Sequence, residues 1–326
     1  MPTPSNNPAN PTPPTDPAPP PPSAPPSPAA LNEQVIDEFR TRSGRVGGMF
    51  EGVPLLLLTT TGARSGRLHT TPVVYAHDKG RLLVFASHAG GPRHPAWYHN
   101  LLADPRVSYE IGTDDGRVTR FAATAEPLRG TARERAYEEQ CARDPAFTAY
   151  REATTREIPV IALHRPDITD PARTRAMGEF LLRVHGELRD QLASLTARFT
   201  TDTDTDIDTD TVPAPGTAAA RPLALHCLTL CTALHGHHTH EDGAFTDLAL
   251  RFPELAPAIA RLRREHTRVA ATVQDIERLA RHLDTNPADR SPLRAELLAL
   301  TADLERHFAY EEEQLLPTLF AATDTR

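Results

Sequence analysis

The sequence predicts an α+β fold: a small antiparallel β-barrel followed by an all-α four-helix bundle. Two observations predict it. The middle of the chain has short apolar and β-branched runs joined by tight glycine turns, which is the pattern of β-hairpins. From about Pro171 onward, apolar residues recur every three to four positions, as they do in amphipathic helices. The chain of 326 residues is therefore expected to hold two folded domains.

Residues 1–31 are expected to be a disordered, proline-rich tail. Of the 32 prolines in the chain, 14 lie in the first 30 residues, and that segment has no aromatic side chain. Such a composition cannot bury enough apolar surface to fold.

Composition also excludes several classes of protein. No apolar run approaches the ~18 residues of a membrane span, and the first residues do not resemble a secretory signal. Three cysteines are too few for a disulfide framework, so we expect a cytoplasmic protein. The net charge of −8 argues against a nucleic-acid partner.

Residues 32–167 are assigned to the barrel. The hairpin turns are residues 78–80 and 114–116, both of which end in glycine. Antiparallel hairpins with few crossover helices favour a barrel over a doubly wound sheet. Strands are predicted at 53–60, 70–77, 81–87, 107–111, 117–125 and 158–163, and helices at 95–103 and 131–141.

Residues 172–326 are assigned to the bundle. Its four apolar seams run over 177–199, 227–248, 255–276 and 300–315. Between the first two helices, residues 200–220 alternate Asp and Thr and are expected to form a flexible linker. A calcium loop starting at Asp202 is excluded, because Ile207 and Pro213 stand where glycine and a bidentate glutamate are required.

Polar residues interrupt these seams at matched depth. Two buried carboxylates without partners would cost several kcal/mol, whereas a metal centre would neutralise them. The His and Glu at 237 and 241, and those at 307 and 311, are i, i+4 pairs, so each helix directs both side chains to one point. The candidate ligands are His185, His237, Glu241, His266, His307 and Glu311.

The doubled His-x-x-x-Glu spacing resembles that of the hemerythrin-like (HHE cation-binding) domain, over about residues 173–320. The resemblance implies two non-haem iron ions held by these six residues, with binding of O2, NO or iron as the role. Oxygen-binding hemerythrins have a further histidine one turn along the third helix, where this chain has Ala270. His238 and Glu312 are the candidates to replace it.

Three segments of the barrel have features beyond those needed for packing. The loop at 61–67 combines glycines, a serine and two arginines, which suits an anion. Residues 86–91 end a strand in a glycine turn. Residues 94–101 place Trp97 near Asn100 at the start of a helix, although a buried aromatic is the alternative interpretation of Trp97.

Together, in this order, these segments resemble the deazaflavin-dependent nitroreductase and quinone reductase family, over about residues 32–163. The resemblance implies a split β-barrel of the flavin-reductase type that binds coenzyme F420, with Ser87 and Tyr150 as catalytic residues. The implied cofactor-binding positions are Ala63, Arg64, Ser65, His69, Thr71, Pro72, Val73, Val74, Ser87, His88, Trp97 and Asn100.

The chain departs from this family at several positions. His88 stands where a lysine is common, which predicts a weaker hold on the anionic cofactor tail, with Arg64, Arg67 and Arg93 as compensation. Flavin mononucleotide is therefore retained as the alternative cofactor.

The function predicted from these features is reduction of a quinone or nitro compound by reduced F420, with a di-iron module attached. Two alternatives remain. In one, a flavin-using barrel feeds electrons to the iron. In the other, the bundle senses oxygen or iron and regulates the barrel. A homodimer is possible.

Overall fold

The computed structural model describes residues 27–201, 220–283 and 286–321. Six strands form a closed barrel in the order β1-β2-β3-β6-β5-β4, and every pairing is antiparallel. All six predicted strands are confirmed, with ends that differ by at most two residues. The strands are β1 (Leu55–Thr61), β2 (Leu68–Asp78), β3 (Arg81–Phe85), β4 (Arg106–Gly112), β5 (Val118–Pro127) and β6 (Val160–His164).

Four helices accompany the barrel, two of which were not predicted. They are α1 (Pro28–Thr41), α2 (Ala96–Ala103), α3 (Gly130–Arg143) and α4 (Ala146–Glu152). The tail prediction is wrong for residues 28–31, which open α1. Ser27 caps this helix through a 3.2 Å hydrogen bond from the Ala30 amide, and Phe39 anchors it in the barrel core. Residues 1–26 lie outside the described residues.

The four predicted bundle helices are confirmed. They are α5 (Pro171–Thr201), α6 (Ala220–Arg251), α7 (Ala256–His282) and α8 (Arg290–Ala321). Their apolar faces form one large core that contains Cys227 and Cys231 as fully buried thiols. The predicted Asp/Thr linker mostly lies outside the described residues. Residues 200, 201 and 220 belong to helices rather than to a linker.

Helix α6 packs directly on the barrel. A Cβ on Gly243 would lie 2.6 Å from the backbone nitrogen of Ala122 in β5, so only glycine permits this approach. Three residues further on, Thr246 Oγ1 donates a 2.7 Å hydrogen bond to the carbonyl of Arg120. Asp247 is buried beside this contact and forms an ion pair with Arg165. Backbone contact, a hydrogen bond and an ion pair therefore fix the bundle against β5.

Within the described ranges, none of the helices combines the length and apolar character that crossing a bilayer requires.

A buried carboxylate joins α1 to the barrel wall. Glu110 of β4 accepts hydrogen bonds of 2.9 and 2.8 Å from Arg40 and one of 2.8 Å from Arg120. Burial alone would raise the pKa of Glu110, but the hydrogen bonds from Arg40 and the charge of Arg120 hold it below its usual range. The ionised carboxylate is therefore the form that the fold stabilises.

We expect Glu110→Gln to lower the free energy of unfolding by roughly 2 kcal/mol at neutral pH, because two guanidiniums lose their anion. Since the folded pKa lies below the unfolded one, the stabilisation by Glu110 is complete above the unfolded pKa. It is lost as the pH falls through the folded pKa. The deficit of the variant should therefore shrink in acid. Thermal unfolding of the whole chain across this pH range measures it.

The matched control is Asp115→Asn, which removes the carboxylate of an exposed ion pair with Arg117 in the β4–β5 turn. This change should leave the melting temperature unaltered. A Glu110→Gln deficit that stays constant down to strongly acidic pH would contradict the assignment.

Candidate metal centre and cofactor-binding site

The bundle brings all six predicted metal ligands together, in two adjoining groups. In each group the candidate ligand atoms lie within 4.8 Å of one another. The first group draws on α5, α6 and α8, and the second on α6, α7 and α8. The first consists of His185, His237, Glu241 and Glu311, and the second of His238, His266 and His307.

The two glutamates lie between the groups. Glu311 Oε2 is 3.4 Å from His185 Nε2 and 3.6 Å from His307 Nε2. Glu241 Oε1 is 2.9 Å from His237 Nε2, and its Oε2 is 3.6 Å from His266 Nε2. Each carboxylate therefore faces imidazoles of both groups, as a bridging ligand must.

Carboxylates behind the histidines fix three of the rings. The Nδ1 atom of His185 is 2.8 Å from Glu312, that of His266 is 2.9 Å from Asp242, and that of His307 is 2.9 Å from Glu265. Such partners hold the Nδ1 proton and turn Nε2 towards a metal. Glu312, one of the two residues considered as a replacement ligand, lies on this outer side of His185.

The residues fit a metal centre by a direct structural test. Seven buried atoms of the cluster make no hydrogen bond of acceptable geometry in the described part of the chain, although some of them lie within 4 Å of one another: three imidazole nitrogens and four carboxylate oxygens. Buried polar atoms are normally paired, so seven such atoms facing one another suit a cation. They are Nε2 of His185, His237 and His238, and both oxygens of Glu241 and Glu311.

Burial sets the protonation of the protein groups around the centre. It raises the pKa of Glu241 to about 7 and lowers that of His237 to about 3. It also lowers the pKa of His238 well below the usual range for histidine. Neutral imidazoles are the form that binds metals, and a cation favours an ionised Glu241.

His238 is the site residue that the predicted ligand set omitted. Its ring stacks on that of His266 with centroids 4.1 Å apart, and it is 6% exposed. From the sequence, His238 is a candidate replacement for the histidine absent at position 270, outside the set of six ligands. In the structure His237 and His238 belong to adjoining groups, because successive residues on a helix point about 100° apart. The only sequence signal was the vacancy of a histidine position at Ala270.

In the barrel, Asn100 ties the β1–β2 loop to α2. Its Oδ1 accepts a 3.1 Å hydrogen bond from the amide of Ala63, and its Nδ2 donates one of 3.1 Å to Thr60 Oγ1. Ser65 Oγ lies 3.3 Å from His69 Nε2 at the start of β2. The predicted loop residues are therefore held in one arrangement at the end of β1.

This loop suits an anionic group. The side chains of Arg64, Arg67 and Arg93 are exposed, and none of them forms an ion pair with another described residue. A Cβ on Gly62 would lie 2.5 Å from Ser65 Oγ, so a larger residue there would displace the Ser65 hydroxyl. Free guanidiniums beside a glycine turn are the features that bind phosphates.

The turn after β3 is shaped by Arg156, to which the sequence interpretation gave no role. Its guanidinium donates hydrogen bonds of 2.6 Å to the carbonyl of Ser87 and 2.9 Å to that of Gly91. His88 within the turn has a left-handed φ of 50°. Helix α4 packs on this turn. A Cβ added to Gly90 would lie 3.1 Å from the backbone oxygen of Tyr150. The two predicted catalytic residues thus belong to adjoining elements.

The remaining predicted cofactor residues differ in exposure. Trp97 and Val73 are buried in the barrel core at 5% and 7% exposure, so the alternative interpretation of Trp97 as a packed aromatic describes its position. Their part in holding a cofactor stays a prediction. Partly or fully exposed on β2 are His69, Thr71, Pro72 and Val74.

Comparisons with known proteins identify both domains. Residues 32–165 match the family model of the F420H(2)-dependent quinone reductases. A curated F420H(2)-dependent quinone reductase of Mycobacterium tuberculosis is 38% identical over 131 residues, which is 85% of that protein and 39% of this chain. A putative F420H(2)-dependent quinone reductase of Mycobacterium bovis matches equally well. This chain belongs to that family.

The F420H(2)-dependent quinone reductase match ends with the barrel. Residues 176–319 match the hemerythrin HHE cation binding domain model. Among solved structures, an F420-H2 dependent reductase is 35% identical, with 94% of that chain and 34% of this one covered and a TM-score of 0.31. The chain is thus an F420-dependent oxidoreductase with a hemerythrin HHE domain after its barrel.

We expect the chain to take up about two iron ions, and His238→Ala to reduce this towards one, because the second group then keeps only two imidazoles. Iron should also raise the melting temperature of the bundle, since it binds the folded form alone. Metal analysis and thermal unfolding check both statements.

The control is His240→Ala, two residues away on the same helix. The His240 Nδ1 atom contacts the carbonyl of Gly236 at 2.7 Å, outside both ligand groups. Iron content should be unchanged in this variant. Equal iron content in the His238→Ala protein would show that His238 is not a ligand.

Proposed function

We propose that the barrel uses reduced F420 to reduce a quinone or a nitro compound, and that the bundle holds two non-haem iron ions that bind O2 or NO or serve iron storage. Two observations support the proposal. The barrel belongs to a family of F420H(2)-dependent quinone reductases. The bundle brings five histidines and two glutamates together in two adjoining groups.

The cofactor would be held where the structure has free cationic groups. Arg64, Arg67 and the backbone of residues 63–65 would bind its anionic tail, while Asn100 keeps the loop in place. Residues His69 to Val74 of β2 would line the ring, next to Ser87 and His88. Reduced deazaflavin supplies a hydride when bound.

Two hydroxyl groups are placed to assist the acceptor. As the acceptor gains negative charge, the hydroxyls of Ser87 and Tyr150 would donate hydrogen bonds to it or pass it a proton. Arg156 is a positioning residue, because it holds the backbone of the turn that carries Ser87.

Anaerobic oxidation of reduced F420 by a soluble quinone tests the barrel. We expect Ser87→Ala and Tyr150→Phe each to lower kcat by about 10-fold to 100-fold with little change in cofactor affinity. Titration with F420 and with flavin mononucleotide should show tighter binding of F420.

The matched control is Ser43→Ala, which removes a hydroxyl bonded to Gly116 in the β4–β5 turn. Because Leu57 of β1 pairs with Glu110 and Thr60 with Val107, this turn lies at the opposite end of the barrel from the cofactor loop.

Tighter binding of flavin mononucleotide than of F420 would overturn the cofactor assignment.

A regulatory coupling is the second candidate function, and helix α6 is the observation that favours it. This helix supplies His237, His238 and Glu241 to the metal centre. One turn later it packs through Gly243 and Thr246 on β5 of the barrel. A shift of α6 on metal or gas binding would therefore reach the barrel wall without electron transfer.

Electron transfer between the domains is the less favoured form of coupling. A deazaflavin transfers two electrons as hydride, whereas iron accepts electrons singly. A flavin would be the better relay, which links this form of coupling to the alternative cofactor. A homodimer remains a prediction.

We expect iron-loaded and iron-free protein to differ about fivefold in quinone turnover if α6 couples the domains. His237→Ala, which disrupts the first ligand group, should behave like the iron-free protein. Steady-state rates with reduced F420 measure the difference. Equal rates in all three samples would leave two independent modules and exclude both forms of coupling.

A further inference from the structure

Two adjoining cavities lie between the barrel and the bundle, each with a volume of about 250 Å³. One cavity is lined by Arg67 and Leu68, beside the cofactor loop. The other is lined by Arg120 of β5 and by His238 and His266 of the metal centre. Both are lined by His235, Ala270 and Val273, so they form one cleft.

The cleft is open because the side chain at position 270 is small. Ala270 lies one helical turn after His266 on α7, and a longer side chain there would fill the shared part of the cleft. The additional imidazole of the second ligand group comes from His238 on α6 instead. On its α7 side, the metal centre is therefore bordered by the methyl group of Ala270 and by the open cleft.

Positive side chains outnumber the unpaired acidic ones around the cleft. Glu277 forms an ion pair with Arg281, and Asp242 keeps its charge while it accepts a hydrogen bond from Nδ1 of His266. Arg67 has no ion pair with another described residue. Arg120 uses one nitrogen on Glu110, but its Nε is buried and lacks a hydrogen-bond partner in the described part of the chain. Such a lining favours anions.

The cleft is wide enough for small ions. A water molecule occupies about 30 Å³ of liquid, so each cavity of about 250 Å³ admits an ion of a few atoms. The charge of the lining, rather than its size, therefore favours one class of ligand.

We propose that this cleft is the route by which a small inorganic anion reaches the metal centre, on the His238–His266 side. The proposal rests on the metal centre proposed above. It places the entrance between the two domains, within reach of the cofactor loop.

Azide binding to the iron-loaded, oxidised full chain tests the route. Ala270→Phe should lower the second-order rate constant for azide binding, followed by absorption in stopped flow, by at least about 10-fold. Ala271→Phe is the matched control, because the neighbouring side chain is exposed on the same helix and lines neither cavity. It should bind azide at the wild-type rate. Iron content is measured on every sample.

A second variant does not depend on core packing. Arg67→Gln alters an exposed side chain, so folding should be unaffected, and it should slow azide binding about threefold at low ionic strength. The slowing should vanish at high salt.

The outcomes separate this proposal from the proposed function. Wild-type azide rates in Ala270→Phe at full iron content would overturn the cleft as the route, and the metal centre would stand. Rates insensitive to both salt and Arg67→Gln would overturn the preference for anions. A wild-type chain that takes up no iron would refute the metal centre, and the route with it.

Discussion

The negative charge of two buried glutamates is the constraint on which the bundle depends. Glu311 is fully buried, and 12% of the Glu241 side chain is exposed. Their four oxygens make no hydrogen bond of acceptable geometry within the described residues. An isolated charge in such surroundings is costly, and the surrounding imidazoles from all four helices can hold a cation that offsets it. The positions of α5 to α8 are therefore set by chemistry at their centre as well as by apolar packing.

The length of the helices allows this polar centre to be stabilised by apolar packing. The four helices have 31, 32, 27 and 32 residues. An extensive apolar core lies on one side of the polar centre and a smaller cluster on the other. Apolar burial on both sides can hold polar groups at a depth where they would not remain by themselves. Carboxylates at the edge, such as Glu265 and Glu312, then orient the rings from behind.

Sequence patterns predicted the regular parts of this molecule well, since strand alternation and helical periodicity report burial directly. Helix α1 was missed because its first turn shares the proline-rich composition of the preceding segment. Arg156 received no role because its partners are carbonyl groups about 65 to 70 positions away. His238 was named only as a candidate replacement, because the six ligands were chosen on single helix faces and His238 lies on a different face from His237. Long-range partners and sites that span two helix faces have no local signature.

The approach of α6 to β5 has a consequence for how the two domains can vary. At Gly243, backbone lies against backbone, and even one added methyl group would meet the main chain of Ala122. A bundle taken from another protein would fit this barrel only if it carried glycine at the same place, two residues after the position of Glu241. The two halves are encoded as separable modules, yet at this point they behave as parts of one tertiary structure. Exchange of either half would thus be restricted by a residue that performs no chemistry.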